Sequence, residues 1–248
     1  MQSAKFNVVD AKYTSLRQDT ANTTIPVKLG YVQPATADSE QVPAAAKRAS
    51  KVSKAALNHL VSCNRRVTPD YAIFISRYGE LPFIEKNNED NVCQSELSPT
   101  SFSHSVHNTL SCLYSIVVGS KAPSTSLSLS EGIIKAGTWE AISFLSSHEG
   151  ARQCLVTIYD SHLPERYDGI QQQHPNDFIL SFVIEKEARG NLSASGIVAA
   201  FEQATNYWQE LQILDVLCEQ SQNNYRDIQR IYDNEKVVNT EYLTEYYV

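Results

Sequence analysis

The residues of this chain able to do chemistry gather in its middle third. His107 lies in the block SPTSFSHSVHN, Ser126, Ser128 and Ser130 alternate through PSTSLSLSEG, and Asp160 and Asp177 adjoin two apolar runs further along. A serine, a histidine and an acid are the parts of an acyl-transfer relay, in which the imidazole takes the hydroxyl proton as the serine attacks. A nucleophile elbow for that purpose asks for Gly-x-Ser-x-Gly. The glycine nearest these serines is Gly132, outside that spacing, so the sequence weighs against a serine hydrolase. Read blandly, His107 is a hydrogen-bonded residue on a mostly buried helix, and Asn108 serves a turn or an interface. The other nucleophile type is cysteine. Cys63, Cys93, Cys112, Cys154 and Cys218 are odd in number and widely spaced, without a Cys-x-x-Cys pair. That excludes a disulfide framework and a zinc site and predicts reduced thiols with packing roles. No metal and no cofactor is expected.

The elements that must position these residues follow from apolar spacing. A strand is expected at Phe6 to Val9. Residues 44–60 read as a helix with Ala45, Ala49, Val52, Ala56 and Leu60 on one side and Lys47, Arg48, Lys51 and Lys54 on a basic, exposed face. YAIFIS (Tyr71 to Ser76) lacks alternation, as suits a strand buried on both faces, and Gly79 closes it. Ser98 caps and Pro99 opens a single helix to Val118, with Phe102, Val106, Leu110, Leu113 and Val117 on one stripe and Gly119 as its stop. From Ser124 to Ser130 the serines face one way and Leu127 and Leu129 the other. A helix through Ile133, Ile134, Trp139, Ile142 and Leu145 follows, then strands at Gln153–Asp160 and Asp177–Glu187, and a long helix from Ile197 to about Cys218. Strands alternating with helices argue for a layered α/β fold.

Composition removes whole classes of function. Gly and Pro total 18 of 248 residues, which excludes collagen-like and low-complexity chains. No apolar stretch approaches the roughly 18 residues that a membrane-spanning helix needs. The first residues, MQSAKFNVVD, lack the basic flank and apolar run of a secretion signal, so a cytoplasmic location is expected. The net charge is −7, and residues 191–248 hold nine acids against three bases, which is −6 of it. With no basic stripe beyond Lys47 to Lys54, the chain is a poor nucleic-acid binder. Tyr242, Tyr246 and Tyr247 dress either a partner surface or a frayed terminus.

Four blocks in order, KRASKVSKAAL, SRYGEL, SPTSFSHSVHN and DSHLPERY, carry a resemblance. The segment resembles the N-terminal half of β-ketoacyl synthases, which have the thiolase fold, and more closely the half-length beta-ketoacyl synthase-like proteins. It covers about residues 44–187 and implies a thiolase-like domain over 1–190, with 191–248 as an acidic helical extension packed on it. A ketosynthase attacks an acyl thioester with a cysteine thiolate, activated at a sharp strand-to-helix turn by the helix N-terminus. In step with the family pattern, Glu131 stands where that cysteine would be, and a shift of register puts Leu129 or Ser130 there. None carries a thiol.

The resemblance therefore implies a chain-length factor, a subunit that pairs with an active ketosynthase in a pseudo-twofold heterodimer and shapes the tunnel for the growing chain. The family's setting is type II polyketide or fatty-acid-like elongation on an acyl carrier protein, often of aryl polyenes. It also implies that Ser124 to Ser130 form the interface, with Ser126, Leu127, Ser128, Leu129 and Ser130 at its centre. Phe102, Val106, His107, Asn108, Leu110 and Leu113 would then lie along the tunnel and interface, although helical spacing reads the apolar ones as ordinary core. Lys47, Arg48, Lys51 and Lys54 would receive the acidic carrier protein, or else form a solvated face. The alternative from another class is a stand-alone binding or scaffold protein of the same fold.

Overall fold

Apolar runs without alternation belong to strands covered on both faces, and three of them build the centre of this molecule. The computed structural model describes residues 4–15, 30–31, 46–63, 68–93, 96, 98–161, 163, 167, 178–187 and 192–222. Its elements in chain order are β1 (Lys5–Ser15), β2 (Gly30–Tyr31), α1 (Lys51–Cys63), β3 (Tyr71–Ile75), α2 (Leu81–Val92), α3 (Pro99–His104), α4 (Thr109–Val118) and β4 (Ser124–Leu127). There follow α5 (Ile133–Ser147), β5 (Gln153–Asp160), β6 (Phe178–Glu187), β7 (Leu192–Ser193), α6 (Ala194–Glu202) and α7 (Tyr207–Gln222).

The strands form one mixed sheet in the order β2-β1-β6-β5-β3-β4, with β7 pairing β1. β4, β3 and β5 run parallel, whereas β6 is antiparallel to both β5 and β1. Successive side chains divide between two cores. Ile73, Ile75, Val156, Ile158, Leu180 and Phe182 face α5, α6 and α7, while Ala72, Phe74, Leu155, Tyr159, Ile179 and Val183 face α1 and α4. Both faces are therefore dry, which is why β3, β5 and β6 show no polar alternation. Gly137 lets α5 lie flat on the sheet, since a Cβ there would stand 2.7 Å from Val156 Cγ1 and 2.8 Å from Ile75 Cδ1.

In β1 a bulge between Val9 and Lys12, with Asp10 at φ 52°, switches which face each residue meets. Phe6 and Val8 before it and Ala11 and Tyr13 after it thus enter the same core, and Thr14 turns to α1. There the imidazole of His59 bridges Thr14 Oγ1 at 2.7 Å and Ser181 Oγ at 2.8 Å. Burial, aided by the Lys12 charge, holds the His59 pKa down to about 4.

Several expectations need correction. The stretch from Pro99 to Val118 is two helices, broken over Ser105–Asn108. Leu110 and Leu113 are core, but Phe102 is 63% and Val106 47% exposed, so the apolar stripe does not run through the break. β4 ends at Leu127, leaving Ser128 to Ser130 as irregular chain, and the last long helix is the pair α6 and α7. Helix α2 was not foreseen. Of the cysteines, Cys154 and Cys218 are buried, but Cys93 and Cys112 are exposed and do not pack. Among the described residues no helix is long and apolar enough to cross a membrane. Asp177 and the three C-terminal tyrosines lie outside the described residues.

Candidate functional site

The four sequence blocks, scattered over more than a hundred residues, meet at the C-terminal ends of β3 and β5. Asp160, the last residue of β5, takes hydrogen bonds on Oδ1 from Ser76 Oγ (2.9 Å), Arg77 N (2.9 Å) and Tyr78 N (3.3 Å). Its Oδ2 accepts the Arg77 Nε–H at 2.8 Å in a fully buried ion pair. Burial raises the Asp160 pKa, against the pull of Arg77 and of the Ser76 and Tyr78 donors. The DSHLP block thus holds the SRYGE block in place. Desolvating both charges is costly, and the four donors offset that cost.

Ser76 Oγ also accepts the Gly79 N–H at 2.7 Å, which tightens the turn after β3. Gly79 sits at φ +54°, and a Cβ on it would come within 2.7 Å of His107 Nδ1. The SRYGE glycine is therefore the seat of the SVHN histidine. The other ring nitrogen, Nε2, donates to the Leu127 carbonyl at 2.7 Å, where β4 ends. The helix break over Ser105–Asn108 is what brings the ring down to that carbonyl. Glu80, wholly buried, accepts from Ser53 Oγ on α1. Burial raises its pKa, while the Ser50 and Ser53 hydroxyls and the nearby His107 lower it. Ser50 also accepts the Ser53 N–H at 3.1 Å, capping α1. The RASKVS block thereby serves as both a helix cap and a clamp on Glu80.

These contacts fix the chain between β4 and α5. Ser128, Ser130 and Glu131 are exposed, Ser126, Leu127 and Leu129 are half-buried, and Leu127 and Leu129 pack against the larger core, as the alternation predicted. Gly132 turns the chain into α5 with φ 65°. From α7, Glu210 reaches this point: its Oε2 accepts the Ile134 N–H at 2.9 Å and the Lys135 N–H at 3.4 Å. Burial raises the Glu210 pKa, against those two hydrogen bonds and the Lys135 charge. Beside the turn opens a groove of about 400 Å³ lined by Leu127, Ser128, Leu129, Ala136, Trp139 and Ser143, with Glu140 at its side.

Of the expected site residues, His107, Ser126 to Ser130 and Glu131 gather around this turn. Leu110 and Leu113 lie in the α1-side core, and Phe102 projects from α3. Asn108 begins α4 without a side-chain capping bond. Lys47, Arg48 and Lys51 are exposed and Lys54 is half-buried, with Arg48 Nη1 donating to Thr100 Oγ1 at 3.3 Å. The components of a relay through Asp160 do not meet, since His107 is spent on a carbonyl and Asp160 on Arg77. Among the described thiols, burial pushes Cys154 and Cys218 up to about 12, so both stay protonated. Cys154 lies at the far end of β5 from the turn. Among the described residues no group of His, Cys, Asp and Glu is placed to hold a metal. The sequence reading quoted Glu80 only within the SRYGEL block, without a role, and missed Glu210, because an acid on a helix is ordinarily solvated.

A thiolase-like half-fold with this constellation defines a class, and residues 22–233 match the family model for the beta-ketoacyl synthase N-terminal domain. The chain belongs to that family, and the match runs through α6 and α7. Among solved structures, it is similar to a ketosynthase (ApeO) in complex with its chain length factor (ApeC) from Xenorhabdus doucetiae. That likeness has 24% identity over 75% of this chain and 80% of that chain, at a TM-score of 0.60. It is also similar to the ishigamide ketosynthase/chain length factor, with 12% identity over 69% of this chain and 50% of that chain, at a TM-score of 0.44. No curated protein matches the chain.

Proposed function

We propose that this chain is the non-catalytic, chain-length-factor-type subunit of a ketosynthase heterodimer acting in type II polyketide or fatty-acid-like elongation, of the aryl-polyene kind. The observation that carries the reading is the turn after β4. All four family blocks converge to hold it, yet the residue read at the family's nucleophile position is the exposed carboxylate of Glu131, or Leu129 or Ser130 in a shifted register, and residues 113–153 contain no cysteine. A carboxylate there gives no thioester for a carrier-bound acyl group to occupy.

Pairing is supported by the edge of the sheet. Among the described residues β4 pairs with β3 alone, leaving its outer N–H and C=O groups to a partner strand. Exposed apolar side chains, Ile116 and Val118 on α4 and Trp139 on α5, stand on the helices packed beside that edge. The ketosynthase would supply the thiol, and the groove of Leu127, Leu129 and Trp139, with Phe102 and Val106, would wall part of the acyl tunnel. The exposed Lys47, Arg48 and Lys51 would meet an acyl carrier protein. Co-expression with a partner ketosynthase tests the reading. The expected outcome is a heterodimer on gel filtration, with malonyl-carrier decarboxylation by the pair and none by this chain alone. Turnover by the isolated chain rejects a silent subunit, and elution as a monomer or homodimer beside the ketosynthase favours a stand-alone scaffold.

A further inference from the structure

At the start of α5, a fifteen-residue helix, the amide groups that have no partner within the helix carry partial positive charge. In a thioester-transferring relative this is the end that favours a thiolate and the oxyanion formed from the thioester, both negative. Here it already holds an anion. Glu210 is 3% exposed, spans from α7 to accept from Ile134 and Lys135, and its Oε1 lies 3.6 Å from where a Cβ on Gly132 would stand. The Lys135 ammonium, within 5.6 Å of the Trp139 ring centroid, adds its charge to the same corner.

We infer that Glu210 is a built-in occupant of the α5 N-terminus, so the Ile134 and Lys135 amides are already spent on a carboxylate and are not offered to a nucleophile or an acyl oxyanion, whatever residue stands at position 131. This inference rests on the reading of Glu131 as the replaced nucleophile and extends it. The chain is silent for two separate reasons, one in the turn and one on a helix nearly eighty residues later. A cysteine restored at 131 would meet a carboxylate where a catalytic thiol meets only amides, and its thiolate would be disfavoured.

The experiment replaces Glu131 by Cys in a background carrying Cys93→Ser and Cys112→Ser, with and without Glu210→Gln. Gln keeps the shape and a carbonyl acceptor for the Ile134 N–H but removes the charge. Iodoacetamide alkylation of the peptide containing position 131, followed by mass spectrometry across pH, gives the thiol pKa. With Glu210 present the thiol should titrate at or above the ordinary value of about 8.5. With Glu210→Gln it should fall by about one unit, roughly a tenfold larger thiolate fraction near pH 7. Equal values in the two proteins, or a thiol well below the ordinary value while Glu210 is present, overturn the inference. Should the double variant not fold, the Glu131→Cys value alone decides on the same criterion. Co-elution of the unaltered chain with a ketosynthase is read separately. Its failure removes the proposed function, whereas an unmoved thiol removes only the role of Glu210.

Discussion

β5 and β4 flank the same strand in the same direction and are built on opposite terms. Seven of the eight β5 residues are buried and five of those seven are hydrophobic, Cys154 and Tyr159 included, so hydrophobic burial on both faces holds it. β4 is Ser-Thr-Ser-Leu, exposed or half-exposed throughout, and leans on β3 and on one hydrogen bond from His107 to its last carbonyl. Burial alone would not keep so polar and short a strand in place. The difference teaches that the polar network at the ends of β3 and β5 anchors an edge that the core does not secure, and leaves that edge open.

The largest break in this contrast comes from the buried ion pair. Asp160→Ala strips Arg77 of its partner inside the protein, and about 3–5 kcal/mol of stability should be lost, as read by urea denaturation. An unchanged midpoint would mean that Arg77 finds water. Acid sharpens the comparison from the core side. The unfolded chain protonates His59 below about 6.5, but the folded one only near 4, so the folded state loses stability as pH falls through that window. The loss should approach about 3 kcal/mol near pH 4 and should shrink in His59→Gln, with denaturation midpoints at pH 7 and 4.5 as the measurement.

Gly79→Ala forces a methyl against the His107 ring at a backbone angle that disfavours a side chain, at a cost of about 1–3 kcal/mol. Amide exchange should then speed up in β4 and leave β5 protected. Ser126→Pro is expected to be the mildest for the fold, about 1 kcal/mol or less by thermal melt. The β3 amides of Ala72 and Ser76 donate to Pro123 and Leu127, which turns the Ser126 N–H toward the open edge. If that edge pairs with a ketosynthase, this small change should abolish co-elution; retained pairing would move the interface elsewhere.

What could be read in advance follows the same division. Runs such as QCLVTIYD and FILSFV declare themselves because both faces are dry, and the α1 stripe of Ala49, Val52, Ala56 and Leu60 is buried as spaced. The break in the predicted helix from Pro99 to Val118 was not legible. Nothing in SHSVHN breaks a helix locally, and the reason is tertiary, the reach of His107 to Leu127. α2 was hidden because LPFIEKNNEDNV has one buried residue, Glu85, and so no apolar stripe to detect. The turn was found by its motifs. The role of Glu80 within SRYGEL and the support from Glu210 were not, since local sequence cannot distinguish a carboxylate bound for a buried serine or a helix end from one bound for water.

The sheet joins the beginning of the chain to its end. Lys5 lies opposite Glu187, and the Val8 N–H donates to Ser221 Oγ at 2.8 Å across 213 positions. During synthesis at roughly 5–20 residues per second, β1 is made well before β6, the strand that pairs along most of its length. Until β6 emerges, the eleven-residue β1 has only the two residues of β2 to pair with among the described strands. A truncation that removed α7 would leave the Val8 N–H without its Ser221 acceptor even with β6 in place.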